Sequence, residues 1–128
     1  MYFMAVLFAG MTFTSCQKND PASLIQGKWS ATSVSMTQDG QTQDVKIEIP
    51  SYIYYTFAAD GKYVNDVNAM GEKHTYEGTW ELKEKILTLD KGGIDETEYG
   101  VLELTGSKLV LRAQMGSTTM VMNLVKAK

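Results

Sequence analysis

A single cysteine, a single histidine and two prolines occur in 128 residues. With only Cys16, an internal disulfide and the cysteine-rich zinc ribbons are excluded. Positive charge is also scarce, 12 basic side chains standing against 15 acidic ones for a net charge of −3. Nucleic-acid binding draws its affinity from Lys and Arg neutralising phosphates, so this balance argues against a nucleic-acid partner. The one strongly apolar, uncharged run, residues 1–15, falls short of the roughly 20 residues that a membrane-crossing helix requires. What remains is an ordinary mixture, 44% hydrophobic, 21% charged and 10% aromatic. Its length predicts one domain, and its composition excludes collagen-like, coiled-coil and wholly disordered chains.

Residues 1–15 hold 11 apolar side chains, and every charged residue lies beyond them. A removable export signal fits this run. Its end, Phe13-Thr14-Ser15-Cys16, sets small residues ahead of a lone cysteine, as the narrow cleft of a signal peptidase requires. This segment resembles the lipobox of bacterial lipoproteins. The resemblance implies that residues 1–15 are a lipoprotein signal peptide, that Cys16 is the lipid attachment residue bearing acyl chains such as palmitate, and that residues 16–23 form a tether. Gln17-Lys18-Asn19-Asp20 resembles the short polar signal that sends some Bacteroidetes lipoproteins to the outer face of the outer membrane. A bacterial outer-membrane address, lipid-anchored and exposed at the cell surface, follows from that likeness. Each buried methylene contributes about 0.8 kcal/mol, so two or more chains hold a protein on a membrane without spanning it. The competing role for Cys16, a buried thiol in an N-terminal strand, finds no turn or alternation in residues 1–15 to support it.

Beyond Pro21 the chain breaks into short segments separated by turn residues, and no helical stripe runs longer than a few residues. Strands are expected at about 27–37, 51–58, 62–68, 74–83, 86–90, 97–105, 108–115 and 118–126, with Val45 to Ile49 open between strand and loop. Asp60-Gly61, Gly106-Ser107 and Gly116-Ser117 are two-residue hairpin signals, because glycine reaches the positive φ of tight primed turns. Glu84-Lys85 and Lys91-Gly92-Gly93 mark two further reversals. Strands joined this tightly pair antiparallel, since parallel pairing needs crossovers of a dozen residues or more. Alternation assigns one dry face per strand: Tyr76, Gly78, Trp80 and Leu82; Leu102 and Leu104; Leu109 and Leu111; Met120, Met122 and Leu124. The expected fold is therefore all-β, an up-and-down antiparallel meander of about eight strands. Closure into a barrel removes its exposed edges, and a two-sheet sandwich is the competitor.

Leu24-Ile25-Gln26-Gly27-Lys28-Trp29 resembles the opening Gly-x-Trp motif of lipocalins. Tyr55-Thr56-Phe57-Ala58-Ala59-Asp60-Gly61-Lys62-Tyr63 and Tyr76-Glu77-Gly78-Thr79-Trp80 resemble segments of bacterial lipocalin-like domains from secreted lipoproteins. The likeness covers residues 24–126 and implies a lipocalin-like β-barrel domain over residues 24–128. It implies that Gly27 lets backbones approach where the chain enters the barrel and that Trp29 plugs the narrow end. It also makes Arg112 the candidate to stack on Trp29 from outside, although Arg112 has the parity opposite to Leu109 and Leu111. Such barrels commonly hold a small apolar molecule, and the expected lining here is Tyr55, Phe57, Tyr76, Trp80, Leu104, Met120 and Met122. Ile53 and Leu102 share that face, and flexible Met115, Met120 and Met122 suit varied ligands. A barrel of eight strands is just wide enough either to be filled by its own side chains or to hold one small ligand, and both remain open.

Catalytic groups are sparse. His74 is the only histidine and sits at a strand end, and Cys16 is consumed by acylation, so no Cys-His pair and no Ser-His-Asp order is indicated. Asp90-Lys91-Gly92-Gly93-Ile94-Asp95-Glu96-Thr97-Glu98 gathers carboxylates on a glycine-rich loop, but Lys91 interrupts it and the EF-hand order is missing, which reads as a solvated turn. Neither a metal nor a cofactor is expected, and the chain reads as a non-enzyme. The expected function is a lipid-anchored envelope protein that binds a small hydrophobic or amphipathic ligand. The alternative is a solid-cored surface module contacting a glycan or another envelope protein through outward Tyr52 and Tyr54.

Overall fold

The computed structural model describes residues 20–127. A five-residue helix α1 (Pro21–Ile25) is followed by nine strands: β1 (Gly27–Gln38), β2 (Gln41–Lys46), β3 (Tyr52–Phe57), β4 (Lys62–Ala69), β5 (Glu72–Lys83), β6 (Ile86–Leu89), β7 (Thr97–Leu104), β8 (Lys108–Met115) and β9 (Thr118–Lys126). Sequential neighbours pair antiparallel from β3 to β9, and β1 closes the ring by pairing β9. This closure excludes the sandwich. The proposed signal peptide and Cys16 lie outside the described residues.

Nine strands make eight walls because β2 and β3 share one edge of β1. Gly27–Ser30 pairs with β3, and Ser33–Gln38 pairs with β2. The excursion at residues 47–51 separates the two, so together they act as one interrupted strand. A bulge at Thr32 marks the change of partner and shifts the parity of β1, so Trp29 and Ala31 below it and Val34 and Met36 above it share the inner face. The open segment at Val45 to Ile49 is thus the end of β2 followed by a loop.

The base of the barrel is closed by the first residues of the domain. Trp29 is fully buried, and its indole Nε1 donates to the Ile25 carbonyl at 2.7 Å, which folds α1 across the opening. Lys126 faces Trp29 across the β1–β9 pair and places Nζ 4.4 Å from the centre of its ring. The same ammonium donates to the carbonyls of Gln26 at 2.6 Å and Leu24 at 3.2 Å, satisfying groups that the helix end leaves unpaired. Burial lowers the Lys126 pKa. Gly27 has φ +119°, which favours glycine over any L side chain, and a Cβ there would press on Lys126 Nζ at 3.0 Å. The stacking cation is therefore Lys126. Arg112 is exposed and reaches Gln114 Oε1 instead, because its outward parity carries it away from the core.

Above this plug the core continues through Phe57, Leu87, Leu109, Leu111 and Leu124, each nearly inaccessible to water. Trp80, Leu104 and Met120 pack half-buried against it, and Met122 lies within it. Leu102 departs from the expected face and is 59% exposed. A bulge between Val101 and Glu103 explains this, since it turns Tyr99, Val101 and Leu104 inward together and leaves Leu102 outside.

Candidate functional site

The barrel wall is incomplete on one side. β6 has only four residues, so the sheet between β5 and β7 stops at Leu89. The upper half of β5, residues 72–77, hydrogen-bonds to β4 alone. A cavity of about 580 Å³ lies at this break. Its wall is built by register: Tyr55 pairs with Asn65, Asn65 with Tyr76, Tyr63 with Gly78, and Leu89 with Thr97, so these residues share the inner face. Tyr55, Tyr63, Asn65, Leu89 and Tyr99 are buried, and Tyr76 is 54% exposed at the rim. A larger concavity of about 690 Å³ runs under the β1–β2 tip, but none of its lining side chains is buried, which makes it a surface groove.

The lining of the cavity is mostly polar, with four tyrosine rings set among carboxylate, amide and hydroxyl groups. The Tyr63 hydroxyl donates to Asp90 Oδ2 at 3.2 Å, and its pKa is pushed up to about 12, first by burial and then by the negative charge of Asp90. Burial, and after it the neighbouring Tyr99 hydroxyl, also raises the Tyr55 pKa. Both phenols therefore stay neutral in ordinary conditions and act as hydrogen-bonding groups. Asn65 donates Nδ2 to the Tyr54 carbonyl at 3.0 Å, while its Oδ1 accepts no bond from the described residues. Phe57 lies beneath, its ring centre 6.0 Å from that of Tyr55 and 6.4 Å from that of Tyr63.

Of the seven side chains expected to line a cup, Tyr55 and Tyr76 line this cavity. Phe57 lies under it in the core. Trp80 points to the base, where its indole donates to Ala58 O at 2.9 Å and its ring meets Phe57 edge-on at 5.7 Å. Leu104 also stands at the base, beside Pro21, Leu24 and Leu82. Met120 and Met122 belong to β9, where they pair with Ala113 and Leu111 of β8 rather than with the strands around the cavity. The rest of the lining, including Tyr63, Asn65, Leu89, Asp90 and Tyr99, lies outside the expected set. Alternation within β4 signals Tyr63 and Asn65, but the bulge at Leu102 hides the inward turn of Tyr99.

Outside, Tyr52 and Tyr54 stack with centroids 4.8 Å apart, and Lys28 Nζ sits 4.2 Å from the Tyr54 ring centre. These rings are half-buried by one another and by the sheet. His74 is exposed and stacks on Tyr76 at 6.3 Å. Among the described residues no three His, Cys, Asp or Glu side chains gather as a metal site, and no helix is long and apolar enough to cross a membrane.

The chain matches the family model of the lipocalin-like domain over residues 25–111. No curated protein sequence matches it. Its fold is similar to that of a lipocalin-like protein from Bacteroides uniformis, at 19% identity and a TM-score of 0.59, covering 81% of this chain and 99% of that one. It is also similar to the odorant-binding protein of bovine nasal mucosa, at 14% identity and a TM-score of 0.50, covering 86% of this chain and 76% of the other. A closed antiparallel barrel, its base sealed by Trp29 after Gly27 and its matched span running from the plug into β8, makes this chain a member of the lipocalin-like domain family.

Proposed function

We propose that the barrel carries one small amphipathic molecule, with its apolar part over Leu89 and the faces of the tyrosine rings and its polar part among their hydroxyls. The observation behind this reading is the cavity of about 580 Å³, lined by five buried side chains and open where β6 ends. That volume falls in the range of small-molecule sites, roughly 300–1,000 Å³. The odorant-binding likeness in fold agrees with such a role. In this reading Tyr52 and Tyr54 brace the outer face of the sheet, and no glycan or envelope-protein contact is invoked.

The carrier is held on the bacterial outer membrane by acyl chains on Cys16. Five residues lead from Cys16 to Pro21, and a fully extended stretch of that length spans at most about 17 Å. Because α1 seals the base, the anchor keeps the base near the lipid.

Binding is tested with the neutral fluorophore N-phenyl-1-naphthylamine. Fluorescence enhancement by the wild-type protein, abolished when Leu89→Trp fills the cavity, is expected. Enhancement unchanged in Leu89→Trp, or no binding of this fluorophore or of any single-chain amphiphile, overturns the carrier reading. Anchoring is tested separately, by radiolabelled palmitate entering the full-length chain in a Gram-negative host and failing to enter Cys16→Ser; labelling equal in both refutes the anchor.

A further inference from the structure

The cavity carries charge of one sign. Asp90 and Asp95 from the loop after β6, together with Glu77 from β5, contribute three carboxylates, and no Lys, Arg or His is among the residues that line it. Asp90 is drawn furthest in. Gly78 faces inward with no side chain, and the Asp90 carboxylate occupies the volume that a Cβ at Gly78 would need. Asp90 reaches it with a positive φ of 55°. There Oδ1 accepts from the Thr79 amide at 3.2 Å and Oδ2 from the Tyr63 hydroxyl at 3.2 Å. The ion pairs among the described residues, Lys91–Glu81 and Lys108–Glu103, leave Asp90 without a cation.

A carboxylate taken partly out of water without a counter-ion loses hydration that two neutral donors replace only in part. Elsewhere in the chain loop carboxylates remain in solvent, so this placement calls for a partner. The rings of Tyr55, Tyr63, Tyr76 and Tyr99 surround the same volume, and electron-rich aromatic faces attract cations most strongly where water is thin. The Oδ1 of Asn65, which accepts nothing from the described residues, offers an N–H donor a further acceptor. A neutral polyol would satisfy the acceptors but leave the charge uncompensated, and an anion would be repelled.

We infer that the ligand of this cavity bears an ammonium group, seated against Asp90 and the tyrosine rings with its apolar portion toward Leu89. This inference rests on the carrier reading above and narrows it to cationic amphiphiles.

Three probes that share one tail separate the two claims: octylammonium, octan-1-ol and octanoate, titrated calorimetrically into the full chain. The ammonium probe is expected to bind about tenfold more tightly than the alcohol, with octanoate weakest. Asp90→Asn should cost the ammonium probe about tenfold while leaving the alcohol within about twofold. Should Asp90→Asn fail to fold, the double variant of exposed Glu77→Gln and Asp95→Asn should narrow the same preference. Equal binding of ammonium and alcohol to the wild type, or a preference untouched by these variants, overturns the inference and leaves the carrier reading standing. Failure of all three probes together with N-phenyl-1-naphthylamine rejects the carrier reading itself.

Discussion

Gly78 and Asp90 form a pair whose coupling can be worked out in advance. Gly78 lies in β5 without a positive φ, so alanine fits its backbone. In a strand that change ordinarily gains about 0.5–1 kcal/mol, because glycine loses more freedom on folding. Here the new Cβ would collide with Asp90 Oδ1 and lie 2.8 Å from Asp90 Cγ and from Tyr63 Cε1. Asp90 must swing out, giving up the bonds from the Thr79 amide and the Tyr63 hydroxyl. Hydrogen bonds to a charged group contribute about 1.5–3 kcal/mol each when buried; with Asp90 partly exposed, a net loss of about 1–3 kcal/mol is expected for Gly78→Ala. With a urea m-value of about 1–2 kcal/mol/M for a chain this small, the midpoint falls by about 0.5–3 M. The decisive measurement is the double-mutant cycle. In an Asp90→Ala background the clash with the carboxylate is gone and only the contact with the Tyr63 ring remains, so Gly78→Ala should cost less than in the wild type, giving a coupling of about 1–2 kcal/mol. An equal cost of Gly78→Ala in both backgrounds would refute the placement of the carboxylate inside the wall.

Other consequences follow from the plug and the phenols. Trp29→Ala opens a hole in the sealed base and should lower stability by about 3–5 kcal/mol in urea unfolding. Lys126→Met keeps the apolar stem but strands the carbonyls of Leu24 and Gln26, for a loss of about 1–3 kcal/mol by the same measurement. Tyr63, with its pKa raised from 10.0 to about 12, binds its proton more tightly in the folded state, so its contribution is complete below pH 10 and disappears as pH climbs through 12. The difference in ultraviolet titration at 295 nm between the wild type and Tyr63→Phe should show this late ionisation, and Asp90→Asn should bring part of it to lower pH; a Tyr63 difference curve centred at 10 would contradict the site geometry.

Legibility in the sequence follows the hydrophobic pattern and stops where that pattern stops. Strands with one dry face, such as β3, β8 and β9, announce themselves by alternation, and their hairpins by Asp60-Gly61 and Gly116-Ser117. β2 does not, because all six of its residues are exposed, and alternation needs a wet and a dry side. Its turn, Asp39-Gly40, with φ values of 53° and 79°, is nonetheless a strong hairpin signal. The bulge at Leu102 is invisible to a period of two, so counting back from Leu102 and Leu104 puts Tyr99 on the wrong face. Asp90 is harder still. It reaches the interior only because a glycine twelve positions earlier leaves room, and a pairwise vacancy of that kind has no local signature.

The two ends of the barrel answer to different demands. At the base, Trp29, Ile25 and Lys126 satisfy every group they expose, and the large side chains of the core lie directly above them. The upper wall gives up half of its pairing along β5 and accepts a carboxylate with two neutral donors. A sheet that loses a neighbour on one side opens locally at lower cost, so the same short β6 that creates the cavity also loosens its rim. Ligand binding reverses this, since occupancy at a concentration of 100 times Kd stabilises the folded state by about 2.7 kcal/mol. The rim is thus the part of the molecule with most to gain from an occupant of the cavity, and the packed base is what permits the wall above it to be interrupted.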